Sequence, residues 1–282
     1  MPVQVLGDVL SVKRVGAYQS MTVIAPGIAE LTRPGHFLAI QVGGPESSML
    51  LRRAFAIYAV KDRGVYGGTV EFVFAVHGKG TAWLSSRRPQ DKLDIVGPLG
   101  KPFRLPTTGV NATLVGGGYG SAPLLPLATA LRERSCRVDM VLGAGSADRL
   151  FGLLEAKRMA ASIAVTTDDG SVGTPGRVSD VLPAVLDKCK TDVVYACGPM
   201  PMLRAVAGLC AERGIPCQVA VEESMACGIG VCMTCVLPVI GDDGRTRMAR
   251  SCVEGPVFLA DRVRWDDVGT VPHDTVGALA RP

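Results

Sequence analysis

Cys227, Cys232, Cys235 and Cys252 carry the most specific chemistry in this chain of 282 residues. Three of them lie in the run CGIGVCMTC at residues 227–235, and the fourth follows after sixteen intervening residues. This C-x4-C-x2-C…C pattern is the spacing of plant-type [2Fe-2S] ligands. Gly228 and Gly230 let the loop take positive φ values and turn its N–H groups toward sulfur. The leading reading is a buried electron carrier.

Four thiolates also suit zinc, which stays open here, but a structural zinc site usually takes two C-x2-C pairs and only Cys232/Cys235 forms one. A Rieske centre needs two histidines, and His36, His77 and His273 all lie outside the cysteine loop. A disulfide framework belongs to small secreted domains, whereas a chain of this length buries a core without staples. Cys136, Cys189, Cys197, Cys210 and Cys217 fall in apolar or mixed stretches and read as small core residues in a reducing, cytoplasmic setting.

A second candidate site is the run GGGYGSAP at 116–123, which follows a strand-like run and opens a helix. Backbone N–H groups and the helix N-terminus there suit a pyrophosphate. Aligned on Gly116 and Gly118, the strict G-x-G-x-x-G fingerprint places Ser121 at its third glycine, so the motif alone leaves a merely tight turn open. Another turn, ACGPM at 196–200, follows the last expected strand. Ligands of open α/β sheets bind beyond the carboxyl ends of strands, so the two turns are expected to face one ligand.

Nearer the N-terminus, Arg53 suits a phosphate, and Phe55 and Ile57 share one side of a strand, toward a flat ring or a barrel core. A solvated arginine is the plain alternative. The run HGKGT at 77–81 offers a further phosphate turn through the N–H groups of Gly80 and Thr81. Asp148 suits either a ribose hydroxyl or a helix start. Glu222 and Glu223 are open between contact with a cofactor and solvation.

The elements that position these residues fall into three patterns. Residues 1–104 carry short strand-like runs separated by Gly and Pro turns, which predicts a small antiparallel barrel. Residues 105–218 alternate strands with helices near 122–134, 148–159, 178–188 and 200–213, which predicts an α/β domain with a parallel sheet. The cysteine module spans 219–262, and 263–282 reads as a loosely attached tail.

With 30 Lys+Arg against 26 Asp+Glu, scattered rather than striped, nothing asks for nucleic acid or an anionic membrane. The N-terminus shows no basic and apolar signal pattern. Residues 105–131 are uncharged, yet five glycines and three prolines interrupt them, so no membrane span is expected.

Taken in order, RAFAI at 53–57, GKGT at 78–81, DIVGPLG at 94–100, GGGYGSAP at 116–123, TDDGS at 167–171, YACGPM at 195–200, CGIGVCMTC at 227–235 and RSCVEGPVF at 250–258 resemble the ferredoxin reductase superfamily over nearly the whole chain. Within it they resemble the electron-transfer subunits of two-subunit, NAD-linked dihydroorotate dehydrogenases. The cysteine run and the segment around Cys252 are the specific part.

That resemblance implies an α+β multidomain chain: an antiparallel β-barrel flavin domain, a Rossmann-like α/β nucleotide domain and a small C-terminal [2Fe-2S] module. It implies FAD, NAD and the cluster as cofactors. Arg53 would meet the FAD pyrophosphate, Ala54, Phe55, Ala56 and Ile57 would border the flavin ring, and Gly78, Gly80 and Thr81 would hold phosphate. Gly116, Gly117, Gly118, Gly120 and Ser121 would approach the NAD pyrophosphate, with Cys197, Gly198 and Pro199 at the nicotinamide. Cys227, Cys232, Cys235 and Cys252 would ligate iron, and no acid-base side chain is required. Ala56 departs from the family, which usually has a hydroxyl there to bond the flavin. The implied partner is an FMN-containing dihydroorotate dehydrogenase catalytic subunit in a two-plus-two heterotetramer, with NAD+/NADH as the soluble substrate. A reductase serving an oxygenase, hydrogenase or sulfur reductase shares most of these motifs.

Overall fold

The computed structural model describes residues 1–44, 47–62, 64 and 67–278. Its N-terminal part is a closed antiparallel barrel of β1 (Val3–Val15), β2 (Tyr18–Ile24), β3 (Phe37–Ile40), β4 (Arg53–Lys61), β5 (Thr69–Phe74) and β6 (Lys92–Leu99), ordered β1-β2-β5-β4-β3-β6. Alternation along these strands sends Met21, Val23, Leu38, Ile40, Ile57, Phe72 and Ile95 inward. The short helix α1 (Lys79–Ser85) packs on this core through Leu84.

The second part is a sheet of β7 (Asn111–Gly117), β8 (Arg137–Ala144), β9 (Ser162–Thr167), β10 (Thr174–Pro175), β11 (Val193–Cys197) and β12 (Cys217–Ala220), all parallel. Helices α2 (Leu124–Arg132) and α3 (Leu153–Met159) cover the face carrying Leu114 and Met140. Helices α4 (Val178–Cys189) and α5 (Met200–Glu212) cover the opposite face, with Val115 and Val141. Strands buried on both faces must be apolar at nearly every position, which is why β7 and β8 read as continuous runs.

Three boundaries differ from expectation. The helix expected at 148–159 begins only at Leu153, because Phe151 turns inward to meet the rings of Tyr18 and Tyr58 and Gly152 takes a left-handed conformation. The cysteine module is not a separate appendage: after the hairpin β13 (Val236–Ile240) and β14 (Thr246–Arg250), strand β15 (Val257–Leu259) pairs antiparallel with β12 and completes a seven-stranded sheet.

The tail expected at 263–282 is packed rather than loose over its described residues, 263–278. Val263 bridges Val239 and Thr275 bridges Thr246. The Val276 N–H donates to the Thr246 carbonyl at 2.8 Å. Arg264 lies between Asp267 at 2.7 Å and Asp274 at 2.6 Å. Residues 279–282 lie outside the described residues.

Candidate functional site

The sheet order β10-β9-β8-β7-β11-β12-β15 reverses direction between β7 and β11, which is where open α/β sheets hold their ligands. The turns after these two strands meet there. A Cβ on Gly120 would lie 2.8 Å from the Cα of Gly198, and one on Gly117 would lie 2.9 Å from Cδ of Pro199. Only glycine allows that approach. Both turns line a cleft of about 650 Å³, bordered also by Ala54, Phe55 and Ala56 of the barrel and by Glu222, Glu223 and Met225 of the cysteine module.

Gly116 and Ser121 build the first turn without lining the cleft. Ser121 is fully buried, donates to the Gly118 carbonyl at 2.9 Å, and fills the space that a Cβ on Gly116 would take. The residue that spoils the strict fingerprint is therefore the one that closes the turn. Cys197, Gly198 and Pro199 all reach the cleft. Burial, and then the nearby Glu222 carboxylate, push the Cys197 thiol up to about 12, so a neutral thiol faces the site at neutral pH.

On the barrel side, Nε of Arg53 would stand 3.1 Å from a Cβ on Gly80, so the missing side chain leaves the guanidinium open beside the start of α1. The Thr81 hydroxyl accepts from the N–H groups of His77 at 3.0 Å and Gly78 at 3.2 Å and holds the turn closed. A cation, an uncovered glycine and a pinned turn fit a phosphate. Phe55 stacks on Phe72 with centroids 5.0 Å apart and borders the cleft. Ile57, at 3 % exposure, belongs to the barrel core and does not reach the cleft. Alternation on β4 turns Ala54 and Ala56 outward instead, leaving a low wall without hydroxyls.

The cysteine loop takes the expected shape. Gly228 has φ of 73° and Gly230 of 85°, and the Ile229 and Val231 N–H groups donate to Sγ of Cys227 at 3.4 and 3.3 Å. Met233, at φ of 59°, adds a left-handed residue the sequence did not announce. Burial pushes the Cys227 thiol up, but N–H groups of Cys232, Ile229 and Val231 outweigh it and hold it below the ordinary thiol value. The Thr234 hydroxyl, 3.1 Å from its sulfur, and backbone N–H groups bring Cys232 down to about 6.

The thiols influence one another in two pairs, Cys227 with Cys232 and Cys235 with Cys252. Four cysteines in this spacing, acting on one another in two pairs, would fit a two-iron cluster better than a single tetrahedral ion. Cys235 and Cys252 are packed on Phe37, Ala39 and Leu99 of the barrel.

Residues 222–264 match the family model described as the iron-sulfur cluster binding domain of dihydroorotate dehydrogenase B. A protein of Desulforamulus reducens named dihydroorotate dehydrogenase B (NAD(+)), electron transfer subunit, is 37% identical over 86% of this chain and 90% of its own length. One of Bacillus caldolyticus with the same name is 39% identical over 84% of this chain and 88% of its own. The chain belongs to this family of electron transfer subunits. A solved NADH-dependent reduced ferredoxin-NADP oxidoreductase superposes with a TM-score of 0.80 at 31% identity, covering 94% of this chain and 91% of that one.

As a dihydroorotate dehydrogenase B electron transfer subunit, the chain is part of an NAD-linked flavin and iron-sulfur oxidoreductase, with FAD, [2Fe-2S] and NAD as its cofactors. Among the residues at the cleft, Arg149 and Arg177 have no motif to mark them. The Tyr119 hydroxyl donates to Glu222 at 3.2 Å, and burial holds Glu223 above the usual carboxylate range. Asp148 does not line the cleft; its neighbour Arg149 does, with Asp168 and Arg177. Among the described residues no helix is long and apolar enough to cross a membrane.

Proposed function

We propose that the chain takes electrons from an FMN-containing catalytic subunit that oxidises dihydroorotate to orotate and delivers them to NAD+, within a cytoplasmic two-plus-two heterotetramer of pyrimidine biosynthesis. The position of Phe37 carries this reading. It lines the cleft and also packs on Cys235 and Cys252, so the cysteine module abuts the cleft at this side chain.

When bound, FAD supplies the exchange between single electrons and hydride that a cluster and a nicotinamide cannot make directly. The chain's own residues place the parts. Arg53, Gly80 and Thr81 hold the flavin phosphates, and Ala54 to Ala56 border its ring. Gly117, Gly118, Gly120, Cys197, Gly198 and Pro199 receive the nicotinamide nucleotide. The four cysteines hold the cluster, and Ile229, Val231 and Met233, exposed by 55%, 75% and 51%, surround the exposed Cys232. An apolar patch at that point supports docking of a protein partner.

The test is to combine the chain with its catalytic subunit under anaerobic conditions and ask whether dihydroorotate reduces NAD+. Cys232→Ser should abolish this coupling while NADH-to-dye activity survives. Retained coupling in that variant removes the cluster from the path. The likeness to a ferredoxin-NADP oxidoreductase supports a second reading, a reductase component for another partner. Copurification with an FMN protein decides between them.

A further inference from the structure

We propose that Tyr18 is a positioning residue: through the Arg149 carbonyl it fixes the nucleotide side of the cleft to the flavin barrel. Tyr18 opens β2, distant in sequence from any cofactor motif, is 6 % exposed, and itself borders the cleft. Its hydroxyl donates to the carbonyl of Arg149 at 2.8 Å, across 131 residues of sequence. Beside it the Ala17 N–H donates to the Asp148 carbonyl at 2.9 Å. Gly16, at φ of 59°, brings the backbone so close that any Cβ would strike the Asp148 oxygen.

The same side chain reaches the other nucleotide loop. Its ring meets Tyr119 edge-on at 5.2 Å, and its hydroxyl lies 3.1 Å from where a Cβ on Gly118 would stand. One barrel residue thus holds both the turn after β7 and the loop after β8. Both loops line the cleft, and Arg149 is among the residues that border it. Burial raises the Tyr18 phenol above its ordinary value, so the donor proton is kept.

This inference rests on the reading of the cleft as the NAD site. Tyr18→Phe keeps the ring and removes only the donor. The air-oxidised holoprotein, which does not react with NAD+, permits direct calorimetric binding. NAD+ affinity should fall about three- to ten-fold, the scale of one lost hydrogen bond. KM for NADH should rise in parallel with kcat within about two-fold, since the hydroxyl is committed to the Arg149 carbonyl. Amide exchange at residues 147–151 should speed up, while FAD and iron contents stay constant. Tyr58→Phe, whose ring also packs on Phe151 at 5.3 Å, is the control and should leave NAD+ affinity unchanged. Equal NAD+ affinity in wild type and Tyr18→Phe overturns the proposal whether or not thermal stability falls, and so does loss of FAD as the main effect. No binding of NAD+ to wild type would instead sink the reading of the cleft.

Discussion

Phe37 and Ala56 are register partners on adjacent antiparallel strands, β3 and β4. The residue packed on Cys235 and Cys252 is therefore one interstrand spacing from a residue that borders the cleft. On the proposed assignment of the two sites, the path from cluster to flavin runs along the barrel's hydrogen-bond ladder rather than through a flexible linker.

Shortening Phe37 should loosen that contact. The side chain is 4 % exposed, so Phe37→Ala is expected to cost about 3 kcal/mol by leaving a cavity, and Phe37→Leu about 1 kcal/mol. Thermal melting measures the loss, and iron per chain should fall in the alanine variant while the leucine variant retains it. Full iron content in Phe37→Ala would mean that the cysteine pairs do not depend on this support.

Arg53→Ala should weaken FAD retention by about ten- to a hundred-fold, the range for a lost charge-assisted hydrogen bond. Gly80→Ala should weaken it as well, because the new methyl crowds the guanidinium 3.1 Å away. Flavin fluorescence released on dilution reports both. An arginine variant that holds FAD as tightly as wild type removes Arg53 from the phosphate site.

His36 should make stability fall with acid. Burial first, and then the charge of Arg33, bring its pKa down to about 4, and its Nδ1 accepts from the Arg33 N–H at 3.0 Å. Because the unfolded value near 6.5 is higher, the unfolded chain binds the extra proton. The contribution, on the order of 3 kcal/mol, is complete above about pH 6.5 and disappears as pH falls toward 4. His36→Gln should flatten melting temperature between pH 7 and pH 5, and an unchanged slope would assign the acid sensitivity elsewhere.

Removing residues 263–282 should destabilise the cysteine module. The deletion takes away Arg264 with its two carboxylate partners and the Trp265 indole N–H that donates to the Ala260 carbonyl at 2.9 Å. A drop of about 2 kcal/mol or more is expected, since a buried edge of the hairpin β13–β14 is exposed. Iron content and urea unfolding of the truncated chain give the answer, and wild-type values for both would return the segment to the status of a loose tail.

The features legible in the sequence were the local ones. Glycine spacing gave the left-handed residues of the cysteine loop, and strand-turn-helix patterns gave the two turns that meet at Gly120 and Gly198. Strand alternation placed Phe55 and Ile57 on one side but left open whether that side was cleft or core, and packing chose the core for Ile57. What stayed hidden is long-range. The contact of Tyr18 with Arg149 and the pairing of β15 with β12 leave no periodic trace, because they depend on where distant segments dock. The tail was read from its place at the end of the chain, which carries no sign of the contact that Arg264 makes with Asp274.

The pairing of β15 with β12 also dictates an order of events during synthesis. Until residues 257–259 leave the ribosome, β12 presents a row of unpaired N–H and C=O groups, the kind of open border that recruits strands from other chains. The segment that follows the last cysteine is what seals it. A chain halted shortly after Cys252 would carry all four of these cysteines and still expose an unpaired sheet border.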